Sequence, residues 1–138
     1  MKKYAKKASV ILLSLMLTAI SFGCDDLIEK NLEKEQVSII APANNTKLSA
    51  ASVVFWWDKL DDALEYNVQV VSPSFGQVQR LLADTIVTDN KLTLSLEAGD
   101  FEWRVKALNG SSQTEFVSAA FSVESTQDDI TDPPPPAE

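Results

Sequence analysis

The sequence has no histidine, a single cysteine and only four glycines among its 138 residues. Without histidine, Ser-His-Asp and Cys-His catalytic groups cannot form, and zinc sites of the usual Cys/His kind are excluded. The lone Cys24 excludes an intrachain disulfide. Glycine-rich phosphate loops and the Gly-x-Ser-x-Gly element are missing as well. These absences predict a protein that is not an enzyme and that uses no metal and no cofactor.

Basic residues are also scarce, because 12 Lys and Arg stand against 20 Asp and Glu, for a net charge of −8. Phosphate binding requires clustered basic side chains, so a nucleic-acid partner is excluded. The acid pairs lie in turns or tails, as Asp61-Asp62 does, and are interpreted as solvated rather than held in a catalytic cleft. No calcium-loop spacing of acids occurs.

Residues 1–23 have the three parts of an export signal. Four lysines within residues 2–7 precede an apolar stretch over residues 8–22, and a small residue, Gly23, ends it. Fifteen helical residues span about 22 Å, which is short of the roughly 30 Å hydrocarbon core of a bilayer. The pattern is therefore typical of a removable signal peptide rather than of a membrane-spanning helix.

The end of this signal, Ser21-Phe22-Gly23-Cys24, resembles a bacterial lipobox. The resemblance implies cleavage between Gly23 and Cys24, acylation of Cys24 with palmitate-like chains, and the lipid bilayer as a partner. Ser21 and Phe22 depart from the commoner Leu-Ala/Ser pair and match a looser form found in some Gram-negative lineages. The alternative is a chance cysteine beside an ordinary cleavage site.

The residues after Cys24 bear on the destination of the protein. Under the enteric sorting rule, Asp25 and Asp26 would retain a lipoprotein at the inner membrane. In other lineages, acidic residues at this place resemble a surface-export signal, and the looser lipobox favours that second interpretation. We expect a lipid-anchored protein of the cell envelope, at the outer membrane or cell surface in preference to the inner membrane. Residues 24–36 are predicted to be a charged, solvated tether.

From residue 37 onward the apolar residues recur with a period of two, and turn-forming residues separate the runs. No stretch has the 3.6-residue spacing of a long helix. The pattern predicts an all-β domain over residues 37–124, an antiparallel β-sandwich of about seven strands. The predicted strands cover residues 37–41, 52–58, 65–72, 78–83, 85–88, 91–96, 101–108 and 116–124.

Alternation within the run 52–58 separates two faces of one strand. Val53, Phe55 and Trp57 point to one side, predicted to be the core, and Val54 and Trp56 point to the other.

An outward tryptophan requires a reason, because its large apolar area favours cover. Trp56 is therefore a candidate surface contact for protein or sugar. The alternative is that its ring lies over its own sheet, beside Thr93 and Ser95, or under the tether. If Trp56 has no binding role, the turns at 72–76 and 109–112 are the next candidates.

The spacing of the core residues resembles that of a fibronectin type III domain. The resemblance covers residues 37–124 and implies a sandwich that binds or presents contacts rather than catalyses; a related immunoglobulin-like sandwich is the near alternative. One position departs from the family pattern, because Phe101 stands where the corner tyrosine is expected. The matching residues are Trp57, Leu60, Ala63, Tyr66, Val68, Val70, Leu96, Phe101, Trp103, Val105, Ala107, Asn109 and Gly110.

Two further segments carry weaker signals. Asp84-Thr85-Ile86 resembles an O-glycosylation acceptor of some Gram-negative envelope proteins, although Thr85 also fits as an ordinary strand residue. Residues 125–138 are acidic and contain four consecutive prolines, which favour an exposed, disordered polyproline tail. Docking of this tail into an aromatic groove is the alternative.

Two classes of function follow from this organisation. The first is an envelope lipoprotein whose sandwich is a non-catalytic protein-interaction or structural module. The alternative is an accessory glycan-binding lipoprotein of an outer-membrane polysaccharide-uptake system. Such accessory proteins also carry an immunoglobulin-like domain after a lipobox, and separate glycan-binding domains follow it. We expect no such second domain after this sandwich, and this expectation favours the first class. The partner is then an envelope protein or a glycan that the sequence does not identify.

Acylation of Cys24 is directly measurable. The intact mass of protein extracted from membranes is expected to correspond to a chain beginning at Cys24 plus acyl groups. A mature chain that begins at another residue and carries no added mass would contradict the lipobox interpretation.

Overall fold

The computed structural model describes residues 29–125, and the predicted signal peptide, the Gly23-Cys24 cleavage site and most of the predicted tail lie outside this range. Within it the chain forms eight strands and no helix. The strands are β1 (Ile39–Ala41), β2 (Thr46–Leu48), β3 (Ser52–Trp57), β4 (Glu65–Ser74), β5 (Gln77–Val87), β6 (Lys91–Ser95), β7 (Gly99–Leu108) and β8 (Val117–Val123).

The strands of the described region form two sheets, one with the order β1-β3-β6 and one with the order β2-β8-β7-β4-β5. Neighbouring strands are antiparallel except β2 and β8, which run parallel. The chain changes sheet at every connection from β1 to β4 and again on both sides of β6, whereas β4–β5 and β7–β8 stay within the five-stranded sheet. This arrangement confirms the predicted all-β sandwich.

Aromatic rings from both sheets meet in the core. Phe55 of β3 makes edge-on contacts with Trp103 of β7 at a centroid distance of 5.1 Å and with Phe121 of β8 at 5.7 Å. Trp57 packs at 5.4 Å from Tyr66. The predicted inward residues of β3 are all buried, so the face assignment of this strand is confirmed.

The polar atoms of the core aromatic residues differ in whether they have a hydrogen-bond partner. The Nε1 of Trp103 donates a hydrogen bond to the carbonyl oxygen of Pro42 at 3.0 Å. The hydroxyl of Tyr66 accepts one from the Leu60 backbone N–H at 2.8 Å. The Nε1 of Trp57 is buried and has no hydrogen-bond partner among residues 29–125.

The corner position that lacks a tyrosine is filled by ring packing. Phe101 stacks on Phe121 at 5.4 Å with an interplanar angle of 23°. Phe101 has no hydroxyl, so no hydroxyl-to-backbone bond forms from that position. A comparable bond is made elsewhere, between Tyr66 and the backbone of Leu60.

Two strand predictions were wrong in detail. The runs 78–83 and 85–88 form one continuous strand, β5, because Asp84 points outward and accepts a hydrogen bond from Asn67 Nδ2 at 3.2 Å instead of ending the strand. The short strand β2 was not predicted, since its three residues pair with the distant β8. The strand β5 lies at a sheet edge, and its register against β4 shifts twice.

The segment before β1 also differs from expectation. Leu32 has an exposed fraction of 0 % and belongs to the core cluster, as does Val37. The prediction that residues 24–36 are a solvated tether is therefore wrong for Leu32. Its neighbours Asn31 and Glu33 are exposed, so Leu32 is a single buried apolar residue within a polar, charged run.

The adjacent tryptophans of β3 provide a matched test of the two faces. Trp57→Ala is expected to cost about 3–5 kcal/mol of unfolding free energy because it empties a fully buried site. Trp56→Ala is expected to cost about 1 kcal/mol or less, since that ring is partly exposed. Urea denaturation of both variants measures the difference, and equal losses would contradict the face assignment.

Candidate contact surface

The outer face of the three-stranded sheet presents exposed apolar side chains. Because Phe55 and Trp57 point into the core, the alternate residues Val54 and Trp56 point outward. Their exposed fractions are 46 % and 38 %. β3 is the central strand of its sheet, so both residues lie in the middle of this surface.

The strand register completes the surface. Val54 lies opposite Thr93, and Trp56 lies opposite Lys91, on the neighbouring strand β6. Side chains of directly opposed residues share a face, so these four residues form one patch, called here the Trp56 face. Of the two neighbours expected for Trp56, Thr93 lies on the same face, diagonal to it, whereas the expectation for Ser95 is wrong because Ser95 lies farther along β6, opposite Ser52.

Lys91 covers one side of the indole. Its Nζ lies 4.6 Å from the centroid of the Trp56 ring, within the range of a cation–π interaction. At an exposed site this contact contributes about 0.5–1 kcal/mol. The Trp56 face therefore combines exposed apolar side chains with the ammonium group of Lys91.

The middle of the outer face of the five-stranded sheet is covered by its own side chains, whereas Ile86 on the edge strand β5 is exposed. The guanidinium of Arg104 lies 4.0 Å from the ring of Phe75 and 4.3 Å from that of Phe116. Its Nε donates a hydrogen bond to Gln69 Oε1 at 2.7 Å, and the Phe75 N–H donates to Glu102 Oε2 at 2.8 Å. These groups contact one another within the domain, so this stack is assigned to stability. Sequence reasoning missed it, because its two rings lie in a turn and before a strand.

Of the other predicted site residues, only Thr85 lies within the described part of the chain. Thr85, on β5, is half-buried and lies opposite the buried Val68 of β4, whereas Asp84 is exposed. O-glycosylation of Thr85 stays a prediction. Gly23 and Cys24 lie outside the described residues.

The two turns named as further candidates have different surroundings. The first shortens to Phe75-Gly76 between β4 and β5, because β4 extends to Ser74. The second, residues 109–112, is occupied by the chain's own residues 29–32, as described below. A shallow depression of about 310 Å³ beside it is lined by Glu33 and the turn. Another, of about 330 Å³, is lined by polar and apolar residues of β2, β4, β7 and β8.

Acidic groups are dispersed over the described region. Among residues 29–125, no three His, Cys, Asp or Glu side chains stand close enough to hold a metal ion together. Over the same residues, no helix has the length and apolar character needed to cross a membrane.

Comparison with known proteins finds structural similarity only. No family model matches the chain, and no curated protein matches it. Solved structures that match include a fibronectin(III)-like module of Clostridium thermocellum CbhA, at 12 % identity and a TM-score of 0.49, covering 65 % of this chain and 98 % of that one. The structure of FN3tt matches at 11 % identity and a TM-score of 0.47, covering 64 % and 95 %. A fibronectin type-III domain of human fibronectin type III domain containing protein 3 matches at 16 % identity and a TM-score of 0.39. The match covers 70 % of this chain and 94 % of that one.

Fluorescence quenching can test the geometry of the Trp56 face. Trp57 and Trp103 have exposed fractions of 0 %, so acrylamide is expected to quench Trp56 selectively. Trp56→Phe should remove the quenchable component. Lys91→Ala should increase quenching, because it uncovers one side of the ring. The matched control is Lys59→Ala, which removes an exposed lysine that pairs with Asp89 instead. An unchanged quenching constant in Lys91→Ala would contradict the cation–π contact.

Proposed function

We propose that the protein is a lipoprotein of the cell envelope, anchored through acylated Cys24, whose sandwich is a non-catalytic module that binds another envelope protein through the Trp56 face. The lysine-rich and apolar segments that end at Gly23-Cys24 support the anchor. The two-sheet sandwich and the dispersed acidic groups of the described residues support a binding or structural role.

The observation that carries the binding role is the exposure of Val54 and Trp56 on a central strand. A tryptophan beside a valine exposes apolar area that a partner can cover, and tryptophan is enriched at the energetic centres of protein interfaces. The ammonium of Lys91 adds a charge that can select for an acidic partner group.

The position of Lys91 also bears on the glycan alternative. A sugar ring stacks on an uncovered aromatic face, and in this structure the Lys91 ammonium lies over one side of the Trp56 indole. Stacking on that side would require Lys91 to move away and lose its contact with the ring. A protein partner can instead use the lysine as part of its contact, and this favours protein over glycan.

Site-specific crosslinking in cells of the source organism tests the proposal. A photoreactive amino acid at position 54 is expected to yield a defined adduct with an envelope protein. The same group at Ser118, an exposed residue of the other sheet, is the control and should yield none.

Second substitutions identify the contact. Trp56→Ala should remove the adduct, whereas Thr93→Ala on the same face should retain it. Equal adducts from positions 54 and 118 would contradict the proposed surface. Binding of the protein to a glycan array that is lost in Trp56→Ala would favour the glycan-binding alternative instead.

A further inference from the structure

The residues before β1 bind to the loop between β7 and β8. The carboxylate of Glu29 accepts a hydrogen bond from the Gly110 N–H at 2.8 Å, and the carbonyl of Lys30 accepts one from Asn109 Nδ2 at 2.8 Å. The Leu32 N–H donates to Ser112 Oγ at 2.9 Å. Residues 29–32, called here the latch, thus hydrogen-bond to three residues of this loop.

Burial and local bonds hold the latch in place. The side chain of Leu32 is fully buried in the core cluster. Its carbonyl accepts a hydrogen bond from the Glu35 N–H at 2.9 Å, which closes a turn behind it. At Gly110, a Cβ would lie 3.2 Å from Glu29 Oε2, so glycine permits the close approach of the carboxylate.

The direction of the strands places the latch at one end of the sandwich. β7 ends at Leu108, opposite the first residue of β4, Glu65, so the β7–β8 loop and the start of β4 share this end. The other end contains the turn between β4 and β5 and the last residue of β8, Val123, which lies opposite Gly99. Ten residues of β7 separate the two ends, which corresponds to about 33 Å.

The chain between Cys24 and the latch is short. Five residue steps join Cys24 to Glu29, and at full extension they span about 18 Å. A free tether from Cys24 to Val37 would span about 45 Å and would allow either end of the sandwich to approach the membrane. The latch therefore removes more than half of the available reach.

We propose that the latch orients the domain on the bilayer, with the β7–β8 loop facing the membrane and the β4–β5 turn facing away. This inference rests on the proposed lipid anchor at Cys24. It leaves the end of β8, and with it the start of the acidic C-terminal segment, at the distal end of the sandwich.

Charge does not provide this orientation. Glu35 Oε1 lies 3.1 Å from Lys30 Nζ, and its hydrogen bond and charge raise the pKa of Lys30. Asp61 and Asp62 precede the start of β4, at the same end of the sandwich as the latch. Carboxylates near the proximal end are repelled by anionic lipid rather than attracted to it. The orientation is therefore set by the docked chain and its short connection.

Energy transfer from the acylated full-length mature protein to vesicles tests this orientation. Because Cys24 is the only cysteine and its thiol carries the lipid, an added cysteine can be labelled alone. A donor dye is attached at Ser111→Cys in the β7–β8 loop or at Gln77→Cys beside the β4–β5 turn; both positions are exposed. Phosphatidylcholine vesicles with acceptor-labelled headgroups are expected to give higher transfer from position 111.

Two variants should abolish this difference. A twenty-residue Gly/Ser insertion between Asp26 and Leu27 leaves the latch and the fold intact but allows either end to reach the surface. Leu32→Asp should release the latch, because a carboxylate cannot remain in the apolar core. The charge-matched control Gln36→Asp, at an exposed position, should retain the difference.

The outcomes test the orientation, the short connection and the lipid anchor separately. Equal or reversed transfer from the two positions on acylated protein would overturn the orientation while leaving the anchor intact. A difference that persists with the long insertion would overturn the role of the short connection. Intact mass without acyl groups on Cys24 would overturn the anchor, and the orientation with it.

Discussion

The contact on which the sandwich depends is the insertion of Phe55 between the two sheets. Its ring meets Trp103 and Phe121, which belong to neighbouring strands of the opposite sheet, at angles near 70°. Edge-to-face packing of this kind stabilises aromatic pairs beyond the burial of area alone. The single cysteine excludes an intrachain disulfide, so no covalent cross-link joins the sheets. These aromatic contacts hold the two sheets together, and Trp57 and Tyr66 pack beside them. The outward direction of Val54 and Trp56 is a direct consequence, since alternation leaves them no other side.

Alternation explains why so much of the fold could be predicted from the sequence. The inward residues of β3, such as Phe55 and Trp57, follow from a period of two, and so does the exposure of Trp56. The Lys91 contact could not be predicted, because it depends on the register between β3 and β6, which no local pattern specifies. The latch was missed for a related reason. Leu32 stands among polar and charged residues, and its backbone N–H binds a loop eighty positions away in the sequence.

The same reasoning separates the two outer faces of the molecule. On the five-stranded sheet, Arg104 contacts two aromatic rings and hydrogen-bonds to Gln69, which covers the middle of that face and leaves Ile86 exposed on the edge strand β5. On the three-stranded sheet, Val54 has no such cover and Trp56 has only the flexible Lys91. A surface that is already satisfied gains little from a partner, whereas exposed apolar area gains from being covered.

The irregular pairing of β5 has a consequence for molecules that stand close together. This strand lies at the edge of its sheet and is eleven residues long, which is enough to pair with the edge of a neighbouring copy. Its two register shifts interrupt the even row of N–H and C=O groups that such pairing needs, and Arg80 and Asp84 place charges along it. With the proposed lipid anchor, confinement to the membrane plane would raise the frequency of lateral encounters between copies. Because the edge of β5 is irregular, we expect such encounters to end in dissociation rather than in β-sheet pairing between copies.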